Sequence, residues 1–258
     1  MNIAVCMKYV PADLSLGVDG KSAGIRRTPD NCTINQADRF ALETALRIKA
    51  QMYGTVRVYT MGPAFAENLL REACALGADE LYLISDSALA GADSYATAAA
   101  LAAAVGRKND LVLCGERTVD GETGQVPGEL SARLDLPYAS PVTEIVKVTD
   151  AAIVCHRSTG EADDVIEVPF PALLGISNGM KCVSMPVLPS LRGIQRAANM
   201  KFVRLGIEDL GLRPCDTGAV GSPTRVEAVK TPDCTRCCVK VDDIGEALRL
   251  VEEVVCEQ

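Results

Sequence analysis

The segment Cys114 to Leu130, CGERTVDGETGQVPGEL, carries residue types that could bind a phosphate. It follows the apolar run Leu111-Val112-Leu113 and leads into a helix-like pattern. A strand that ends in a glycine turn and opens a helix leaves backbone N–H groups free at the helix start, where the helix dipole is also positive. Thr123 is placed to cap that helix with its hydroxyl, Gly124 to let a phosphate approach the backbone, and Gln125 to add a side-chain donor. Pro127 falls in the first turn, where a missing N–H costs little. The spacing is neither a Walker loop nor Gly-x-Gly-x-x-Gly, and no lysine lies within it, which disfavours phosphoryl transfer. Glu116, Asp120 and Glu122 would repel a phosphate and read as ribose partners or solvated loop residues. On spacing alone, a nucleotide turn and a structural turn stand level.

Other reactive side chains carry less. CTRCC, with Cys234, Cys237 and Cys238, invites a metal reading, and Cys215 and Cys256 lie within reach in sequence. It lacks a second paired motif, and His156 is distant, so reduced thiols are expected there and no metal site. Cys6 and Cys114 end two strand-like runs and read as small core residues rather than nucleophiles. No nucleophile motif accompanies His156, and no catalytic residue is assigned. The first ten residues, MNIAVCMKYV, read as a strand rather than a signal peptide, so the eleven cysteines are expected to be reduced thiols in a cytoplasmic protein. No run approaches a membrane span, and a net charge of -8 argues against nucleic acid.

The elements that must position these residues alternate through the first half. Ile3 to Met7 is a short apolar run; Ala41, Ala45, Ile48 and Met52 form a helical stripe, with Glu43 and Arg47 four apart in the favourable order. Val56 to Tyr59 is strand-like and ends at Met61-Gly62-Pro63; a helix over about 64–76 stops at Gly77. Leu81 to Ile84 is a strand, and Asp93 or Ser94 caps the helix YATAAALAAAV, which stops at Gly106 before the strand Leu111 to Cys114. This rhythm predicts right-handed βαβ units on a parallel sheet. Ligands of such sheets bind beyond the carboxyl ends of the strands, where Cys6 to Val10, the loop into Asn35, and Met61-Gly62-Pro63 join the glycine turn. After Pro137, the stretches 142–148, 152–156 and 165–168 read as short antiparallel strands, 171–177 as a buried strand, 191–198 as a helix and 201–205 as a strand. From about Gly206 the chain is rich in Gly, Pro and Thr, which predicts an extended arm ending in an amphipathic helix over about 243–253. The expected organisation is an α/β nucleotide-binding domain over 1–205 and an arm over 206–258. With 258 residues and 48% apolar content, the chain can bury a sizeable core.

Over about Met1 to Leu212 the sequence resembles the β (small) subunit of electron transfer flavoprotein. The resemblance rests on AVCMKYVP, TINQADRFALETALRIK, TMGPAFAENLLREACALGADELYLISD, AGADSYATAAALAAAV, DLVLCGERTVDGETGQVPGEL and LPSLRG, in that order. It implies a Rossmann-like α/β fold of the adenine-nucleotide α-hydrolase type, with the C-terminal arm embracing an α subunit in a heterodimer. It implies nucleotide contacts at Cys6, at Asn35, Gln36, Ala37 and Asp38, at Met61, and at Asp120, Gly121, Glu122, Thr123, Gly124, Gln125 and Val126. The nucleotide implied is AMP or a second FAD. The compact turn from Asp120 to Gln125 is similar to the short form of flavin-bifurcating relatives, which puts FAD first and AMP, in a simple electron carrier, as the alternative. With FAD, a nicotinamide from NADH could stack on the ring, and electrons would divide between the α-side flavin and an acceptor such as ferredoxin. The dehydrogenase partner would be a flavin enzyme such as an acyl-CoA dehydrogenase.

Three stretches depart from the family's pattern. Asn35-Gln36 replaces Asn-Pro, Val126-Pro127-Gly128 replaces Val-Gly-Pro, and Ser184-Met185-Pro186-Val187 replaces the Asn-Glu-Pro-Arg before LPSLRG. The last removes an arginine near the family's partner-recognition loop, and with it a guide to the docking partner. A reading from another class is a stand-alone nucleotide-binding protein of the universal-stress type, or a hydrolase on the same fold.

Overall fold

The structure is a computed structural model that describes residues 1–12, 18–19, 24–25, 28–181, 187–227 and 240–256. Ser184, Met185, Pro186, Cys234, Cys237 and Cys238 lie outside the described residues. The elements run β1 (Asn2–Cys6), β2 (Tyr9–Pro11), β3 (Val18–Asp19), β4 (Gly24–Ile25), β5 (Cys32–Ile34), α1 (Gln36–Met52), β6 (Thr55–Met61), α2 (Glu67–Leu76), β7 (Glu80–Ile84), α3 (Ser94–Val105), β8 (Leu111–Gly115) and α4 (Gln125–Leu134). The second half follows with β9 (Tyr138–Val148), β10 (Ala152–Ser158), β11 (Asp163–Pro169), β12 (Ala172–Ile176), α5 (Leu191–Asn199), β13 (Val203–Leu205), α6 (Gly218–Gly221) and α7 (Ile244–Cys256).

One sheet organises the first unit, in the order β11-β10-β9-β12-β8-β1-β6-β7-β13. From β9 through β12, β8, β1, β6 and β7 to β13 every pairing is parallel; β9, β10 and β11 pair antiparallel. The chain goes from β1 outward to β6 and β7, then returns to the other side of β1 with β8, so the direction of winding reverses between β1 and β8. That reversal opens a crevice above the carboxyl ends of these two strands. Burial reflects the layering: β8 and β12 are buried throughout, as strands covered on both faces must be, whereas β11 alternates toward solvent.

Two apolar clusters fill the faces. On one, Ile3, Val5, Leu111 and Leu113 pack with Ala41, Leu42, Ala45 and Ile48 of α1 and with Leu69, Leu70 and Ala73 of α2. On the other, Ala4, Cys6, Val112 and Cys114 pack with Ala98, Leu101 and Val105 of α3 and with Leu130 and Leu134 of α4. Small alanines on α3 let that helix lie close to α4. Asp93 caps α3 through Ala96 N at 3.0 Å, as its position predicts.

The chain divides into two compact units, Met1–Glu227 and Ala228–Gln258. Residues beyond β13 still pack on the first unit: Ile207 is buried, Ala219 N donates to Ala90 O at 2.9 Å, and Thr224 N donates to Asp93 Oδ2 at 2.9 Å. Within the second unit, α7 exposes Ile244, Leu248 and Val251, whose spacing places them on one helix face. No helix among the described residues is long and apolar enough to cross a membrane.

Candidate functional site

The carboxyl ends of β1, β6, β7 and β8 surround a cavity of about 690 Å³, within the range of small-molecule sites. Its floor is Cys6 and Cys114, which are register partners on β1 and β8. One wall is the start of α1, a second is the loop from Arg117 to Val126, and a third is formed by Met61 to Ala66 with residues 84–94 after β7.

The α1 wall is an internally bonded frame. Asp38 is buried; its Oδ2 accepts from Lys8 N at 2.7 Å and its Oδ1 from Gly115 N at 2.9 Å. One carboxyl thus ties the loop after β1 and the end of β8 to the first turn of α1. Burial pushes its pKa up to about 6, against the lowering effect of those two N–H groups. Gly115 is required here: an added Cβ would meet Asp38 Oδ1 and come within 2.7 Å of Ala37 Cβ and 2.9 Å of Asp38 N. Asn35, fully buried, donates from Nδ2 to Arg117 O at 3.1 Å and accepts at Oδ1 from Val119 N at 3.3 Å. Ala37 is buried in the same contact, while Gln36 is exposed. Of this group only Asp38 reaches the cavity lining.

The loop wall is open. Gly121, Thr123, Gly124 and Val126 line the cavity. Gly124 is the N-cap of α4 at φ +62°, a left-handed conformation that glycine adopts without a Cβ penalty. Thr123 therefore is not the cap residue that its sequence predicts; its Oγ1 lies 3.5 Å from Gln125 N, a weak contact, because the chain turns left-handed at Gly124 before the helix begins. The N–H groups of the first turn of α4 have no acceptor within the helix and meet the positive end of its dipole. Asp120 is not part of the lining; its side chain is buried, with Oδ1 2.9 Å from Nζ of Lys8, which is part of it. Glu122 is exposed at φ +50°, and Gln125 is exposed, its Oε1 accepting from Ser94 Oγ at 3.0 Å. Glu116 accepts from Ser177 Oγ and Asn178 N, both at 3.2 Å, so it serves the end of β12.

The structure thus brings Cys6, Asp38, Met61, Gly121, Thr123, Gly124 and Val126 together on one cavity. Asn35, Gln36, Ala37, Asp120, Glu122 and Gln125 stand behind or beside it, outside the lining. Sequence reasoning placed the segments that hold Lys8 and Arg117 near the site without singling out either residue, and it missed the stretch after β7. Lys8 follows Cys6 by two residues at a strand end, which was the available signal. The stretch after β7 is a 3-10 turn capped by Asp86, which accepts from Ala88 N at 2.9 Å; such a turn has no periodic signature. Among the described residues no cluster of three or more His, Cys, Asp or Glu side chains could hold a metal ion.

Residues 25–204 match the electron transfer flavoprotein domain family. The chain is 40% identical over 258 residues to the electron transfer flavoprotein subunit beta of Thermoanaerobacterium thermosaccharolyticum, covering 98% of each chain. It is 41% identical over 229 residues to the caffeyl-CoA reductase-Etf complex subunit CarD of Acetobacterium woodii, covering 88% of this chain and 86% of that one. It is 34% identical over 261 residues to the protein FixA of Sinorhizobium fredii, covering 96% and 90%.

Proposed function

We propose a function from the premise that this chain belongs to the electron transfer flavoprotein family, as a β subunit: it pairs with an α subunit in a cytoplasmic heterodimer and holds FAD in the switch-point cavity. The observation that carries this reading is the cavity itself, set where an α/β sheet takes its nucleotides and flanked by the start of α4. The residues present fit such a group. The N–H group of Val126 suits a pyrophosphate, and Gly124 and Gly121 leave the approach to the backbone free of side chains. Apolar Pro63, Phe65 and Leu89 also line the cavity, whose volume of about 690 Å³ has room for a dinucleotide. FAD, when bound, supplies hydride and single-electron chemistry; the protein supplies orientation and electrostatics.

The chain's own residues would do four things. Asp38 fixes the loops that bound the cavity. The α4 turn presents N–H donors to an anionic ligand. Exposed Leu188, Leu191 and Ile194, with Leu188 at 80% and Leu191 at 87% relative exposure, offer an apolar surface to a flavin dehydrogenase such as an acyl-CoA dehydrogenase. The exposed face of α7 suits the arm's role in gripping the α subunit. In this reading the heterodimer passes electrons between NADH or that dehydrogenase and an acceptor such as ferredoxin, dividing them between two flavins. The test is nucleotide extraction from the purified heterodimer. Two FAD and no AMP per heterodimer are expected; one FAD with one AMP would overturn the dinucleotide reading in favour of a simple carrier.

A further inference from the structure

The floor of the cavity is chemically unusual for a nucleotide site: two thiols side by side. Cys6 ends β1 and Cys114 lies one residue before the end of β8, and the two are Cα register partners across a parallel pair. Both side chains lie on the same sheet face, in one apolar cluster, and both line the cavity. Neighbouring strands run about 4.8 Å apart, inside the roughly 4.4–6.8 Å window of Cα separations that a disulfide spans. As register partners on one sheet face, the two thiols are direct neighbours across the strand pair. Both are free cysteines with only a few per cent of their surface exposed, so a reagent reaches them through the cavity. They also sit where the winding of the sheet reverses, beneath the place that a ligand would cover.

We propose that Cys6 and Cys114 form a dithiol site that closes to an intramolecular disulfide when the cavity is empty, and that a bound nucleotide shields it. The shielding rests on the nucleotide reading given above; the dithiol does not. Closure oxidises the two thiols. Each gives up one hydrogen, and the sulfurs join. With a low-molecular-weight disulfide as oxidant, one thiolate attacks it and expels one small thiol; the second cysteine then attacks the mixed disulfide and expels the other. The neighbouring Cys6, together with burial, holds the Cys114 thiol well above its ordinary pKa. A disulfide here would bridge the two strand ends that frame the crevice and stiffen them against the adjustments that ligand entry needs.

The test uses the full chain in its purified complex, after removal of bound nucleotide, with diamide as oxidant. This diazene accepts both hydrogens and becomes a hydrazine. Trypsin releases Cys6 in the peptide 1–8 and Cys114 in the peptide 109–117. The expected product is these two peptides joined, at the sum of their masses less two hydrogens. Saturating AMP or FAD should slow its formation about tenfold or more, because access governs the rate. Cys114→Ser should abolish the joined peptide, and Cys6→Ser gives an independent check should that variant fold poorly. If exposed Cys215 reacts and the joined peptide does not form, the dithiol site is overturned. If the peptide forms equally fast with nucleotide shown to be bound by equilibrium dialysis, the shielding is overturned. If dialysis finds no nucleotide bound, the nucleotide reading fails, and the joined peptide alone decides the dithiol.

Discussion

Two walls of one cavity carry nearly all the residues that the family resemblance marks for nucleotide contact, and they are built on opposite principles. At the α1 wall, Asn35, Ala37 and Asp38 are buried, and Asn35 and Asp38 spend their polar groups on the protein's own backbone. At the α4 wall, Gly121, Thr123 and Gly124 stand open, with a helix start behind them. A motif shared across a family can therefore hold a site in place or face the ligand, and sequence alone does not separate the two. Burial and hydrogen bonding do. Substitutions in the first wall should be read out as stability, and in the second as binding.

The sharpest way to break this contrast is Gly115→Ala. The new methyl group would press on the backbone of Asp38 and on Ala37, neither of which can rotate away. A loss of about 3 kcal/mol is expected by denaturant unfolding of the complex, at the upper end for overpacking. A change below about 0.5 kcal/mol would mean that the frame yields and is no frame.

A smaller effect comes from pH. Below its unfolded value of 3.8, Asp38 is protonated in both states; between there and about 6, only the folded chain keeps the proton. Stability from this group is therefore fully present below 3.8, falls as pH rises toward 6, and is level above it, by about 1–3 kcal/mol in all. Asp38→Asn should remove that slope while costing stability at every pH, since its amide cannot accept both N–H groups. A slope that survives the substitution would assign it to another carboxyl group.

How much of this was legible beforehand follows from the same physics. Strands β1, β6, β7 and β8 and helices α1 to α3 show in the sequence because burial on both faces produces apolar runs, and burial on one face a stripe. Position 93 as a cap was legible because a lone carboxylate before an alanine run has few other uses. Thr123 was misread because hydroxyl residues favour caps, while the left-handed turn at Gly124 depends on how the loop crosses Glu116 and Arg117. Residues 207–224 left no pattern because they are held by isolated hydrogen bonds, several of them to Asp86 and Asp93, and by the scattered apolar residues Ile207, Leu210 and Leu212. The Lys8–Asp120 pair is distant in sequence, and only the fold brings its members to 2.9 Å.

The smallest effect should come from Gln125→Ala. Its side chain is exposed and bonded to Ser94, beside rather than within the cavity lining. Stability should change by less than about 0.5 kcal/mol, and nucleotide retention should stay near that of the parent complex. A large loss of nucleotide would move Gln125 from the rim into the site.

The most direct measurement is nucleotide content in a folded Gly124→Val complex. The substitution forces a β-branched residue into the left-handed region, at about 1–2 kcal/mol, and sets side-chain bulk at the start of α4. The account predicts a folded complex, by circular dichroism, that has lost most of the nucleotide retained by the parent. Full retention in a folded variant would take the α4 turn out of the site and contradict the account.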